Sequence, residues 1–301
     1  MTLDRAYAHC RAIAKKEAKN FYYAFVALPS ARRNAICAIY AFMRKADDLA
    51  DDESVTLEER RRNIDTWMAA WHQAANRAPT GDPVFMAVRH AVARFNIPLS
   101  LLEELVAGVT MDLEHDTVDA PDTYATFAHL YRYCYLVASV VGLVCIRIFG
   151  YTDPRAEKFA EETGIAFQLT NILRDVVEDA SRNRVYLPLE DLAAHGVSLE
   201  SLLHRAPGAP PTANERALLK SIADRAEKYY KSAEELLPLI APESSPALRV
   251  LVTIYHELLK RIVAADYDVF TRRASVPTAK KVTIMLTGLA RMAWARVGVI
   301  D

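Results

Sequence analysis

Two acidic runs carry the residues best suited to chemistry in this chain: Asp47-Asp48-Leu49-Ala50-Asp51-Asp52 and Asn171-Ile172-Leu173-Arg174-Asp175-Val176-Val177-Glu178-Asp179. Each places two aspartates about one helical turn apart, so on a helix both carboxylates project from one face. Two such faces turned toward each other make a cage of hard oxygen ligands. Mg²⁺ binds that way, through a few carboxylates together with the phosphates of a substrate. Asp47, Asp51, Asp175 and Asp179 therefore point to diphosphate chemistry.

The first run ends a helix expected to begin with Ser30 as its N-cap. Its apolar stripe, Ile36, Ile39, Tyr40 and Met43, continues by helical steps onto Asp47 and Asp51. Carboxylates where the pattern asks for apolar side chains cost several kcal/mol each when merely buried, roughly, so they should line a water-filled or metal-filled cavity. Asp48 and Asp52 fall toward the flank and read as solvated charges. The competing reading is a plain acidic helix end in water.

The second run is less decisive. Gln168, Asn171, Arg174, Asp175, Glu178 and Asp179 form a polar arc opposite Leu169, Ile172, Leu173 and Val176, which an ordinary amphipathic surface helix also shows. Only its pairing with the first run, and the Arg182, Arg184 and Tyr186 that follow, favour a site. A departing diphosphate takes its charge with it and must be held by cations. Arg44, Arg174 and Arg184 are candidates by position. Lys19, Arg272, Arg273, Lys280 and Lys281 are further ones.

Between the runs, Tyr133 to Val144 is apolar nearly all round, with small residues at Ala138, Ser139 and Gly142. It reads either as the central helix of a bundle or as the wall of a long apolar pocket, with Val137 and Val141 on the same segment.

The elements that must position these residues are helices. Periodicity near 3.6 recurs almost throughout, interrupted at Leu28-Pro29-Ser30, 78–83, Ile97-Pro98, 120–122, 152–154 and 206–212, and no alternating strand run competes. Nine glycines in 301 residues is well under the average of about 7%, which also favours helices over tight turns. No linker or repeat divides the chain, so residues 1–301 read as one all-α domain. A net charge of −1 offers no basic field for nucleic acid. Cys10, Cys37, Cys134 and Cys145 lack CxxC spacing and read as buried thiols in a reducing cytoplasm. The longest apolar run, Tyr133 to Ile146, is shorter than the span of about 20 residues that a bilayer requires. The expectation is a soluble cytoplasmic protein, at most peripheral to the inner membrane.

Taken together, these segments resemble the squalene and phytoene synthase family. The likeness rests on Tyr40 to Asp51, the helix Tyr133 to Gly142, Gly164 to Asp179 with Arg184-Val185-Tyr186-Leu187-Pro188, and Tyr267-Asp268-Val269-Phe270 with Arg273. It implies an isoprenoid synthase helical bundle around a central cavity. Asp47, Asp51, Asp175 and Asp179, supported by Asn171 and Gln168, would grip Mg²⁺ ions that bridge to prenyl diphosphates. Lys19, Arg44, Arg174, Arg184 and Arg273 would hold diphosphate, Val137, Ala138, Ser139, Val141 and Gly142 would line the tails, and Tyr186 and Tyr255 would face the cationic carbons.

The implied reaction is head-to-head condensation of two farnesyl diphosphates to presqualene diphosphate or squalene. The alternative is phytoene formation from two geranylgeranyl diphosphates. NADPH for a reductive second step is not indicated by the residues, nor is an oligomeric state. A non-catalytic helical assembly protein of the same fold should have lost at least one of the four aspartates, and all are present.

Overall fold

The structure is a computed structural model that describes residues 1–26, 28–114, 121–206 and 208–297. Its helices are α1 (Leu3–Glu17), α2 (Lys19–Val26), α3 (Ser30–Ala50), α4 (Leu57–Ala75), α5 (Pro83–Phe95), α6 (Leu99–Glu114), α7 (Phe127–Cys134), α8 (Val140–Phe149) and α9 (Arg155–Ser181). They continue with α10 (Leu189–Ala194), α11 (Leu199–Leu203), α12 (Ala213–Leu236), α13 (Ser245–Ala264) and α14 (Thr278–Val297). The all-α expectation holds. The departures among the described residues are a two-stranded parallel pairing of β1 (Asp122–Thr123) with β2 (Arg184–Val185), too short to leave an alternating pattern in the sequence, and an isolated antiparallel bridge between Tyr151 and Ile240.

The proline-marked interruptions fall between helices, and side chains fix several of the starts. Thr56 with Glu59 and Thr212 with Glu215 form complete capping boxes, and Asp82 accepts from the Val84 and Phe85 amides. Ser30 differs from expectation. Pro29 is the N-cap of α3 and Ser30 is already helical, with no side-chain cap bond, because proline sets the extended backbone that enters the helix. Two further breaks lacked a strong signal: Ala18, between α1 and α2, and the irregular segment 265–277 between α13 and α14.

Two buried clusters flank the middle of the molecule. One gathers α1, α3, α4 and α5 around Phe42, Trp67, Trp71 and Phe85, whose rings pack at centroid distances of 4.6 to 6.5 Å. The other gathers α9, α12 and α13 around Leu169, Leu173, Ile222, Leu258 and Ile262. Between them run α7 and α8, joined by a π-helical turn at Tyr135–Ser139. The continuous helix Phe127–Phe149 is 23 residues long and contains an 18-residue stretch of mean hydropathy 1.7, long and apolar enough to cross a membrane, so the shorter estimate from the sequence is corrected. It packs instead against α3, α6 and α9.

Glycines let the neighbours reach that π turn. A Cβ on Gly164 of α9 would lie 2.5 Å from Ser139 Cα and 2.7 Å from its nitrogen, and one on Gly108 of α6 would lie 3.1 Å from the Leu136 carbonyl carbon. Backbone atoms cannot swing aside as a flexible side chain can. Gly164→Ala is therefore expected to cost about 2 kcal/mol or more by overpacking, read as a shifted urea midpoint with unchanged slope. A midpoint within error of the wild type would show that α9 can retreat freely.

Candidate active site

The last turn of α3 carries Asp47, and Asp51 is its C-cap, with its amide donating to the Asp47 carbonyl at 2.8 Å. A carboxylate at a helix C-terminus meets the negative end of the helix dipole, a position that favours a cation nearby. Past the helix, Asp52 accepts from the Ser54 amide at 3.1 Å, a turn-forming role in keeping with its flank position. The Thr56 capping box then starts α4 and sets Arg60 in its first turns. Arg60 Nε donates to the Asp52 carbonyl at 2.9 Å and so closes the exposed end of α3. Asp47, Asp51, Arg60, Arg182, Arg184 and Tyr133 line a cavity of about 570 Å³. Arg184 is set there by the β1–β2 pairing, entered through Asn183 at φ 59°.

The polar arc of α9 faces a second cavity of about 680 Å³, lined by Glu17, Tyr40, Asn171, Arg174, Tyr255, Arg273 and Lys281 among others. Arg174 Nε donates to Asp175 Oδ1 at 2.8 Å, and Arg273 reaches Asp175 at 2.7 Å and Glu178 at 3.1 Å. Burial pushes the Asp175 carboxyl up, but Arg174 and Arg273 outweigh it and hold it below the usual range. Asp179 behaves oppositely. Burial, then the Asp175 and Glu178 charges, push it up to about 7 against the partial relief of Arg184 and Arg182. The second pair thus has Asp175 committed to the arginines of the second cavity, while Asp179 feels those of the first.

An apolar chamber of about 320 Å³ lies between. It shares Met43, Asp47 and Val137 with the first cavity, and Tyr40, Asn171 and Tyr255 with the second. Its walls include Ala138, Val141, Gly142, Cys145 and Phe149, with Gln168 beside Asn171, whose amide donates to the Gln168 oxygen at 3.3 Å. Phe167 stacks on Tyr255 with ring centroids 4.3 Å apart and an interplanar angle of 11°. Burial raises the pKa of the Tyr255 hydroxyl.

Several expected residues stand elsewhere. Arg44 pairs with Asp48 at 2.6 Å, an i,i+4 contact, and faces a separate groove with His9 and Lys45. Ser139 is buried against α9 and donates to the Glu161 carbonyl at 2.6 Å, so its small size serves helix packing and not a tail channel. Tyr186 lies behind Tyr133, stacked at 4.9 Å, and it is Tyr133 that lines the cavity. The Lys19 side chain lies outside the described residues. Conversely, Arg60 and Phe167 are brought to the site although spacing alone did not single them out, while Tyr40 and Tyr133, read from the sequence as members of apolar segments, line its cavities.

Among the described residues, no three histidine, cysteine or carboxylate side chains converge closely enough to hold a metal ion. Mutual repulsion, with Asp175 drawn to its arginines, accounts for the spread. The donor set nevertheless suits a hard cation. The buried Asn171 Oδ1 accepts no hydrogen bond from a described residue, and burial with the neighbouring carboxylates leaves the Asp179 anion only partly compensated by Arg184 and Arg182.

Residues 14–280 match the squalene/phytoene synthase family. A phytoene synthase of Arthrospira platensis is 35% identical over 296 residues, covering 93% of this chain and 91% of that protein. Among solved structures, a dehydrosqualene synthase in complex with ligand is similar at TM-score 0.80 and 30% identity, covering 97% of this chain and 98% of that one. A squalene synthase from Alicyclobacillus acidocaldarius follows at TM-score 0.79 and 25% identity, covering 88% of this chain and 96% of that one. With a family match that runs through both acidic helices and most of the chain, the protein belongs to the squalene/phytoene synthase family and is a prenyltransferase of the isoprenoid synthase fold.

Proposed function

We propose that the protein condenses two geranylgeranyl diphosphates head to head to form phytoene. The observation that carries the reading is one apolar chamber joined to two polar cavities, each lined by its own arginines. That arrangement suits two prenyl tails sharing a chamber while their diphosphates lie apart. The C20 donor replaces the C15 donor expected from the sequence, because the similar curated protein at 35% identity is a phytoene synthase. Phytoene formation ends in proton loss and needs no hydride donor.

In this reading Arg60, Arg182 and Arg184 hold one diphosphate, and Arg174, Arg273 and Lys281 the other. Mg²⁺, held by Asp47, Asp51, Asn171, Asp175 and Asp179, would supply Lewis-acid stabilisation of the leaving diphosphate. The C–O bond at C1 of one donor breaks with its electron pair leaving on diphosphate, and the allylic cation is attacked by the double bond of the second donor. A proton passes to the released diphosphate as the cyclopropane closes. The cyclopropylcarbinyl diphosphate so formed then loses its own diphosphate with the C–O electron pair, the ring opens as the cation rearranges, and loss of a second proton gives phytoene. The paired rings of Phe167 and Tyr255 and the ring of Tyr133 present π faces to positive charge, and the apolar walls of the chamber offer no nucleophile to quench it.

Incubation of the purified protein with each donor and Mg²⁺, followed by mass identification, is expected to give a C40 hydrocarbon from the C20 donor at the higher kcat/KM. Preference for the C15 donor would overturn the chain length, and no product from either would overturn the reaction. Ala138→Phe provides a second check. Filling the chamber wall should lower turnover of the C20 donor more than that of the C15 donor, by about tenfold if overpacking costs its usual 1–3 kcal/mol. Equal losses with a lowered melting temperature would make Ala138 a plain packing residue.

A further inference from the structure

The irregular segment after α13 delivers Arg273 to Asp175, and its backbone is unusual. Asp266 and Tyr267 are consecutive non-glycine residues at φ 52° and 59°, a left-handed pair that persists only where its surroundings impose it. Those surroundings come from the start of α12. Glu215, 3% exposed, accepts the amide of Thr212 at 2.6 Å and forms an ion pair with Arg205. Arg205 also donates to the Ala209 and Pro210 carbonyls at 3.0 and 2.6 Å. Its guanidinium then lies 3.8 Å from the centroid of the buried Phe270 ring. Arg216 holds Asp266 at 2.8 Å, and Asp268 accepts from the Thr271 amide at 3.0 Å and its hydroxyl at 2.6 Å. These polar anchors lie upstream of Arg273 and the buried Val276 downstream of it, while the Arg273 side chain itself is 57% exposed and pairs with Asp175 and Glu178.

We propose that the Arg205–Glu215 pair is a positioning device: through the Phe270 ring it fixes the segment that carries Arg273, and so sets the geometry of a diphosphate-binding cation far away in sequence. This rests on the reading that Arg273 serves a prenyl diphosphate. A guanidinium wedged between a buried carboxylate and a ring face is confined in both directions, whereas a greasy contact would let the ring slide. The charge is thus used for placement, since an apolar pair of similar volume could supply the stability alone.

The test compares Arg205→Met with the double variant Arg205→Met/Glu215→Gln, in which the glutamine oxygen still accepts the Thr212 amide and keeps the α12 capping box. The single variant strands a buried carboxylate and is expected to melt at lower temperature; the double variant removes both charges and is expected to regain that loss. If the pair positions Arg273, the double variant keeps a raised KM for prenyl diphosphate, about tenfold, and faster amide hydrogen exchange across 268–273 with α12 still protected. Adding Arg273→Gln to it should then raise KM little further. Recovery of KM and of exchange protection together with stability would overturn the proposal. The exchange readout needs no substrate, so wild-type protein inactive on both donors would sink the proposed reaction while leaving this coupling decided by exchange alone.

Discussion

Asp47→Asn and Asp175→Asn are each expected to abolish condensation, with kcat lowered about a thousandfold or more, since either removes a charge opposed to the departing diphosphate's counter-ion. Asp52→Asn is the control. Its side chain makes the turn before α4, a role asparagine fills as well, so turnover should stay within about twofold. The stability effects diverge in a way the sequence did not suggest. From spacing alone, every aspartate of the site looks crowded by like charges, so that neutralising it would leave the fold intact or stabilised. Asp175, however, satisfies Arg174 and Arg273, and its loss leaves a half-buried guanidinium short of an acceptor. Asp175→Asn should lower the melting temperature. Retained activity in either variant, measured as product formed per enzyme, would sink the assigned roles, and loss of helical circular dichroism would make them structural.

Chelation should be as severe. Excess EDTA is expected to stop turnover entirely, because clustered carboxylates repel a diphosphate until a divalent cation reverses the sign. Full activity under chelation would exclude the scheme. Proton competition refines the expectation. Asp179 titrates at about 7, pushed there by burial first and then by Asp175 and Glu178. A cation must displace that proton, so Mn²⁺ affinity measured by calorimetry should strengthen as pH rises through about 7. Folding stability runs the other way for this group. Between the unperturbed range near 4, roughly, and the folded value, the native state holds a proton that the unfolded state has released. Stability from Asp179 therefore falls as pH rises across that window, and Asp179→Asn should flatten the slope. An unchanged slope would place its titration elsewhere.

What could be read from the sequence was whatever one helix decides by itself. Asp47 and Asp51 announced themselves by sitting on an apolar stripe, and the helix boundaries by proline and capping residues. What could not be read depends on a second element. Arg60 reaches the first cavity only because α4 folds back across the end of α3, and Phe167 only because it stacks on Tyr255 of α13. Ser139 shows the limit most clearly. A small side chain makes room, but the sequence does not say for whom, and here the room is taken by Gly164 of α9. Arg44 was judged by nearness to the acidic run, while its i,i+4 partner Asp48 satisfied it first.

The π turn at Tyr135–Ser139 has a consequence for how this chain tolerates length changes. A π turn holds an extra residue relative to an α turn, so deleting one residue there would let the helix relax to regular winding while the segments on either side keep their phase. Val137 and Ala138 lie within the turn, and Val141, Gly142 and Cys145 just beyond it, all on the chamber wall. A single codon lost inside the turn would therefore leave Val141, Gly142 and Cys145 aimed at the chamber. The same loss in the regular winding of α7 would rotate everything beyond it by about 100° and carry Gly142 away from its close approach to the Ala160 carbonyl. A deletion within the turn should therefore be tolerated better than one a few residues upstream.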